Sequence, residues 1–197
     1  NPAQRKRFNE IMRANRDGQG LPTKDPDRPL TGDQLARYIK MGRGADVLAY
    51  IGDGKGQASA VDQSGVPLIS VAAQEGDVDT MLALIDLGAD IESTDRVSRS
   101  PLMYAARSEN PQVIDALLDA GADMSVRDQL GNEALAWAAG FGTADGVQVL
   151  LDAGADVNVT DNVLGYTPLI WASGFGDAGS IPLLLEAGAD VDVHDRA

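Results

Sequence analysis

Leu151-Asp152-Ala153-Gly154-Ala155-Asp156-Val157-Asn158-Val159-Thr160-Asp161 is the stretch on which the reading of this chain turns. Its core, Gly154-Ala155-Asp156, recurs as Gly88-Ala89-Asp90, Gly121-Ala122-Asp123 and Gly188-Ala189-Asp190, at spacings of 33, 33 and 34 residues. An aspartate opens every unit on the same beat, at Asp62, Asp95, Asp128 and Asp161, and again at Asp195. The units are therefore 62–94, 95–127, 128–160 and 161–194, the last longer by one residue around Val163-Leu164. Residues 195–197 start a further unit or simply end the chain. A fixed period of this length signals a repeat architecture.

Each unit has the pattern of two short helices and a turn. In 128–160 the alanine-rich run Ala134-Leu135-Ala136-Trp137-Ala138-Ala139 predicts a first helix, broken at Gly140-Phe141-Gly142. Val147, Leu150 and Leu151 then fall at i, i+3 and i+4 on one helical face. Gly154 suits a left-handed residue just past the helix end. Ser100-Pro101 and Thr167-Pro168 each pair an N-cap with a proline at the first helical position. A unit this small cannot bury its apolar face alone, whereas stacked units can.

These features resemble ankyrin repeats: the aspartate-opened turn, the opening Thr167-Pro168-Leu169, the alanine pair and the closing Gly154-Ala155-Asp156-Val157-Asn158. The resemblance covers roughly two thirds of the chain and implies an all-α ankyrin-repeat solenoid of four clear repeats. One departure recurs. The histidine that the family carries after Thr-Pro-Leu is replaced by Ser70, Met103, Ala136 and Ile170, so its hydrogen-bonded network is missing. Upstream, 31–61 reads as a degenerate N-terminal capping repeat. Thr31 and Gln34 form a capping box, Leu35, Tyr38 and Ile39 one helical face, and Val47, Leu48, Tyr50 and Ile51 another.

Charge divides the chain. Residues 1–16 hold five basic residues against Glu10, and residues 62–197 hold five arginines against 23 acidic residues, within a net charge of −14. Double-stranded nucleic acid is a disfavoured partner for such a body. Residues 1–30 read as a basic arm and a Pro/Gly-rich linker. With only Phe8, Ile11 and Met12 as an apolar side, the arm is expected to pack on an acidic surface, its own or a partner's. A targeting or nucleic-acid patch and an anionic membrane surface are the other readings. No cysteine is present, which excludes a disulfide scaffold, cysteine-ligated zinc and a thiol nucleophile. No apolar run reaches the ~18 residues of a membrane-spanning helix. A soluble, cytoplasmic chain is expected; a periplasmic or secreted one would require a leader ahead of Asn1.

Catalytic signatures are sparse. His194 is the only histidine, and no Gly-x-Ser-x-Gly elbow occurs. Asp190, Asp192, His194 and Asp195 form a loose hard-metal pattern, but Asp190 and Asp195 fill the repeat's own aspartate positions. No enzyme activity, metal or cofactor is expected.

The resemblance implies that partners meet the turn tips and the concave surface of the first helices. Carried onto this chain, it places Arg96, Arg99, Arg107 and Arg127 on one repeat's recognition positions. It adds Leu130, Phe141, Tyr166 and Phe175 from the next two repeats. Aromatic residues and arginine are the usual interface anchors. Tyr104, Trp137 and Trp171 share one helix position and read as packing between repeats. Phe141 and Phe175 have a rival reading in which each tucks against the next unit. The expected function is a non-enzymatic protein-binding adaptor or accessory subunit. The alternatives are a subunit of a membrane or redox complex held through residues 1–30 and the C-terminal repeat, and an enzyme using His194 and the acid cluster.

Overall fold

The computed structural model describes Leu21 and residues 29–192. Of the basic arm and linker, only Leu21, Pro29 and Leu30 are therefore included; His194, Asp195 and the last two residues also lie outside the described residues.

Ten helices form, and no strand occurs among the described residues. They are α1 (Gly32–Lys40), α2 (Gly44–Gly52), α3 (Leu68–Gln74), α4 (Val78–Asp86) and α5 (Pro101–Ala105), then α6 (Gln112–Asp119), α7 (Ala134–Phe141), α8 (Ala144–Asp152), α9 (Pro168–Phe175) and α10 (Ser180–Glu186). The starts of α1, α5 and α9 follow the sequence signals, and α8 adds a cap of the same kind at Thr143. The Thr31 hydroxyl and the Gln34 side chain satisfy each other's backbone N–H groups in a capping box. Ser100, Thr143 and Thr167 accept from the third residue on, with proline first in α5 and α9. The glycines past the second helices, Gly88, Gly121, Gly154 and Gly188, take φ of +90 to +96°.

Helices this short are marginal alone, so packing must hold them. The first helices form one row, α1 on α3 on α5 on α7 on α9, and the second helices form a parallel row from α2 to α10. Equivalent apolar residues line up between the rows. Leu84, Leu117, Leu150 and Leu184 are all fully buried, as are Met81, Ile114 and Val147. The result is a solenoid with one continuous core.

Gly142 and Gly176 set how closely neighbouring units approach, and the break in 128–160 comes later than the sequence suggested. Gly140 lies inside α7, where a Cβ would stand 3.4 Å from Trp171 Cβ. The break comes at Gly142, whose missing side chain lets the chain lie against the Ala106 carbonyl of the preceding unit. Gly176 meets the Ala139 carbonyl in the same way one unit later.

Candidate functional site

The opening aspartates build the turn tips. Asp62, Asp95 and Asp128 each use Oδ1 to accept the backbone N–H groups two and four residues on, at 2.8–2.9 Å. The tips of successive units then join: Gln129 N–H donates to the Val97 carbonyl and Asn162 N–H to the Leu130 carbonyl. The fourth place of the turn needs a left-handed backbone. It is glycine at Gly65 and Gly131, but Ser98 takes it with φ +64° in the second unit.

The second carboxylate oxygen reaches the first helix. Asp95 Oδ2 accepts from Tyr104 Oη at 2.8 Å, from Arg99 Nε at 2.7 Å and from the Arg99 terminal nitrogen at 2.6 Å. Asp128 Oδ2 accepts from Trp137 Nε1 at 3.0 Å. Burial works to raise the Asp95 pKa, but the hydrogen bonds from Arg99, Tyr104 and Val97 outweigh it and hold the carboxyl below its ordinary value. Tyr104 is pushed well above the usual phenol range by burial and by its bond to Asp95. In unit four the extra residue changes the pattern. Asp161 Oδ1 takes three backbone donors, from Val163, Leu164 and Gly165, and Trp171 Nε1 is buried without an acceptor.

These residues lead into a single cationic and aromatic run. The Arg99 guanidinium lies 5.0 Å from the Tyr104 ring and 5.6 Å from Trp137, and Arg107 lies 5.5 Å from Trp137. The rings continue from Trp137 to Phe141 (5.4 Å), Trp171 (5.7 Å) and Phe175 (5.5 Å). Phe141 also stacks on Phe175, and the Tyr166 edge meets Trp171. Phe141 is 46% exposed and Phe175 65% exposed. The Phe141 ring thus rests on the next unit while part of it faces outward, and Phe175 rests on Trp171 of its own unit and Phe141 of the preceding one.

The sequence-predicted residues separate into two groups. Arg99, Arg107, Phe141, Tyr166 and Phe175 belong to the run. Arg96 lies across the neighbouring tip and donates to the Gln63 carbonyl, Arg127 pairs with Glu133 at 3.1 Å, and Leu130 stands exposed on its own tip. Trp137 and Trp171 do pack between repeats, Trp137 against Arg99 and Arg107 and Trp171 against Phe141, and Trp137 links the arginines to the phenylalanines; the buried Tyr104 contacts Asp95 and Arg99 of its own repeat. The helix position that the two tryptophans share was the sequence signal for this. Asp190 accepts from the Asp192 backbone and donates its own N–H to Asn158, the ordinary work of its turn. Among the described residues no group of three metal-ligating side chains assembles, and no helix is long and apolar enough to cross a membrane.

Charge is sorted by row. The first helices α3, α5, α7 and α9 contain no charged residue. The second helices α4, α6, α8 and α10 contain seven acids, Asp79 through Glu186, and no base. Glu75 and Glu109 are the exposed acids just beyond α3 and α5. An apolar face is thus set against an acidic one.

A family model described as ankyrin repeats (three copies) matches residues 45–128, 69–161 and 102–195, which together run across most of the chain. No curated protein matches it.

Proposed function

The chain belongs to the ankyrin-repeat family, and on that premise we propose that the face running from Arg99 to Phe175 binds a partner protein, the chain acting as a non-enzymatic adaptor or accessory subunit. Ankyrin repeats are a protein-interaction module. One observation carries the assignment to this face: an unbroken series of ring contacts leaves Phe141 and Phe175 about half exposed or more at the ends of α7 and α9, two helices without charge. A surface that merely faced water would gain nothing from such an arrangement. Aromatic anchors flanked by arginine are what concentrates binding energy in interfaces.

Affinity capture from native lysate tests it. The full chain and the Phe141→Ala/Phe175→Ala variant are compared with matched thermal melts. Loss of about ten-fold in recovery of the same partner, with folding intact, supports the face; hot-spot truncations have effects of that order or larger. Equal recovery moves the interface elsewhere, the acidic second-helix row being the other extended surface.

A further inference from the structure

Resting on that reading, we infer that the face takes a segment bearing a carboxylate side chain, docked against Arg107, and a large apolar side chain about five or six residues away, docked on Phe141 and Phe175. Three observations meet here. Arg107 is held on Trp137 with no carboxylate partner among the described residues, and its Nε is buried without an acceptor. Arg99, by contrast, is already committed to Asp95. Second, the position that Arg107 holds in its repeat is Gly140 and Gly174 in the next two. The neighbouring place is Ser108, then Phe141, then Phe175. The face therefore grades from a cation at one end to bare aromatic rings at the other. Third, residues 62–197 hold 23 acidic residues against five arginines, and two of those arginines, Arg99 and Arg107, lie at this end of the face, where they offset the exposed Glu109; an incoming carboxylate is repelled least here.

The spacing follows from the stack. Arg107 follows α5 and Phe175 ends α9, two helix-to-helix steps apart, or about 16–20 Å at 8–10 Å per step. An extended segment rises ~3.3 Å per residue, which gives the five or six residues. A guanidinium presents a planar donor fork to a carboxylate, and an exposed phenylalanine pair gives an apolar side chain a surface on which to lose water. A basic segment fails on the same grounds, because Arg107 would oppose it.

The test is selection of random peptides displayed on phage against the immobilised full chain. A synthetic copy of the most enriched sequence is then titrated by fluorescence anisotropy. The expected result is enrichment of Asp or Glu four to seven positions from Leu, Phe, Trp or Met. Arg107→Ala and Phe175→Ala should each weaken binding at least ten-fold, and Arg107→Lys should weaken it less. Thermal melts identify any variant that fails to fold, and Phe175, being exposed, supplies an arm unaffected by that failure. Peptides that need Phe141 and Phe175 but lack a carboxylate, or that bind Arg107→Ala equally, overturn this inference while leaving the binding face standing. Peptides insensitive to Phe141→Ala/Phe175→Ala, or no enrichment, overturn the face and the inference together. Sedimentation showing a dimer that Phe175→Ala dissociates assigns the face to a second copy and also overturns the inference.

Discussion

Trp137 and Trp171 occupy equivalent places in successive units, so replacing each by phenylalanine makes an internally controlled pair. Trp137 Nε1 donates to Asp128 Oδ2 at 3.0 Å, whereas Trp171 Nε1 is buried with nothing to accept it. The loss of ring area is common to both variants and cancels to first order. What differs is the polar balance. A hydrogen bond to a charged group contributes about 1.5–3 kcal/mol, and an orphaned buried donor costs about 1–3 kcal/mol. Trp137→Phe removes the bond and leaves Asp128 Oδ2 short of a donor; Trp171→Phe removes the orphan. Trp137→Phe should therefore be the less stable variant by at least about 2 kcal/mol, and Trp171→Phe should lie near wild type. Urea unfolding followed by circular dichroism measures both, with the remaining tryptophan's fluorescence as a check that one transition is seen. Equal destabilisation would refute the reasoning, because it would mean that the aspartate bond contributes nothing or that Trp171 has found an acceptor.

Other outcomes follow from the same geometry. Tyr104→Phe should cost about 1.5–2 kcal/mol near neutrality, at the low end for a bond to a charged acceptor because Arg99 still holds Asp95. Its dependence on pH has a definite sign. Asp95 is depressed, so its contribution is present above its unfolded pKa near 3.8 and is lost as pH falls. Tyr104 is raised, so its contribution is present below its unfolded value of 10 and is lost at higher pH. The gap between wild type and Tyr104→Phe should stay level between about pH 5 and about pH 9 and shrink on either side; urea titrations across that range check it. Ser98→Gly should stabilise the chain by about 1 kcal/mol, since a serine held at φ +64° carries the left-handed penalty that glycine escapes; a thermal melt reads it. Gly142→Ala should destabilise by about 1–3 kcal/mol, because the new methyl group meets the Ala106 carbonyl and the units must part.

Much of the scaffold was legible because it repeats. A glycine with positive φ, a serine or threonine cap before proline and a buried leucine every 33 residues are local needs, each met by a characteristic residue type. The opening aspartates were legible for the same reason. What they do with their second oxygen was not, since Asp95 meets Tyr104 nine residues away, across a turn that no helical or strand period describes. The one-residue insertion in the fourth unit was visible, but its consequence, Trp171 without the bond that Trp137 makes, needed coordinates. The site was half legible. Position within the repeat predicted exposure for Arg96, Arg127 and Leu130, but not company. Arg127 is drawn to Glu133 and Arg96 to the Gln63 carbonyl, Arg99 to Asp95 and the rings beside it, and Arg107 to Trp137. Which of these wins is decided by side chains from neighbouring units, and sequence position carries little information about them.

Hydrogen exchange of the full chain, with and without a captured partner, is the most direct test of the claim that the run from Arg99 to Phe175 is the binding face. Added protection should appear in the turn tips and first helices of units two to four, from Arg99 through Arg107, Leu130 through Phe141 and Tyr166 through Phe175. Protection confined to the acidic second helices, Gln112–Asp119 and Ala144–Asp152, with the aromatic row unchanged, would contradict it.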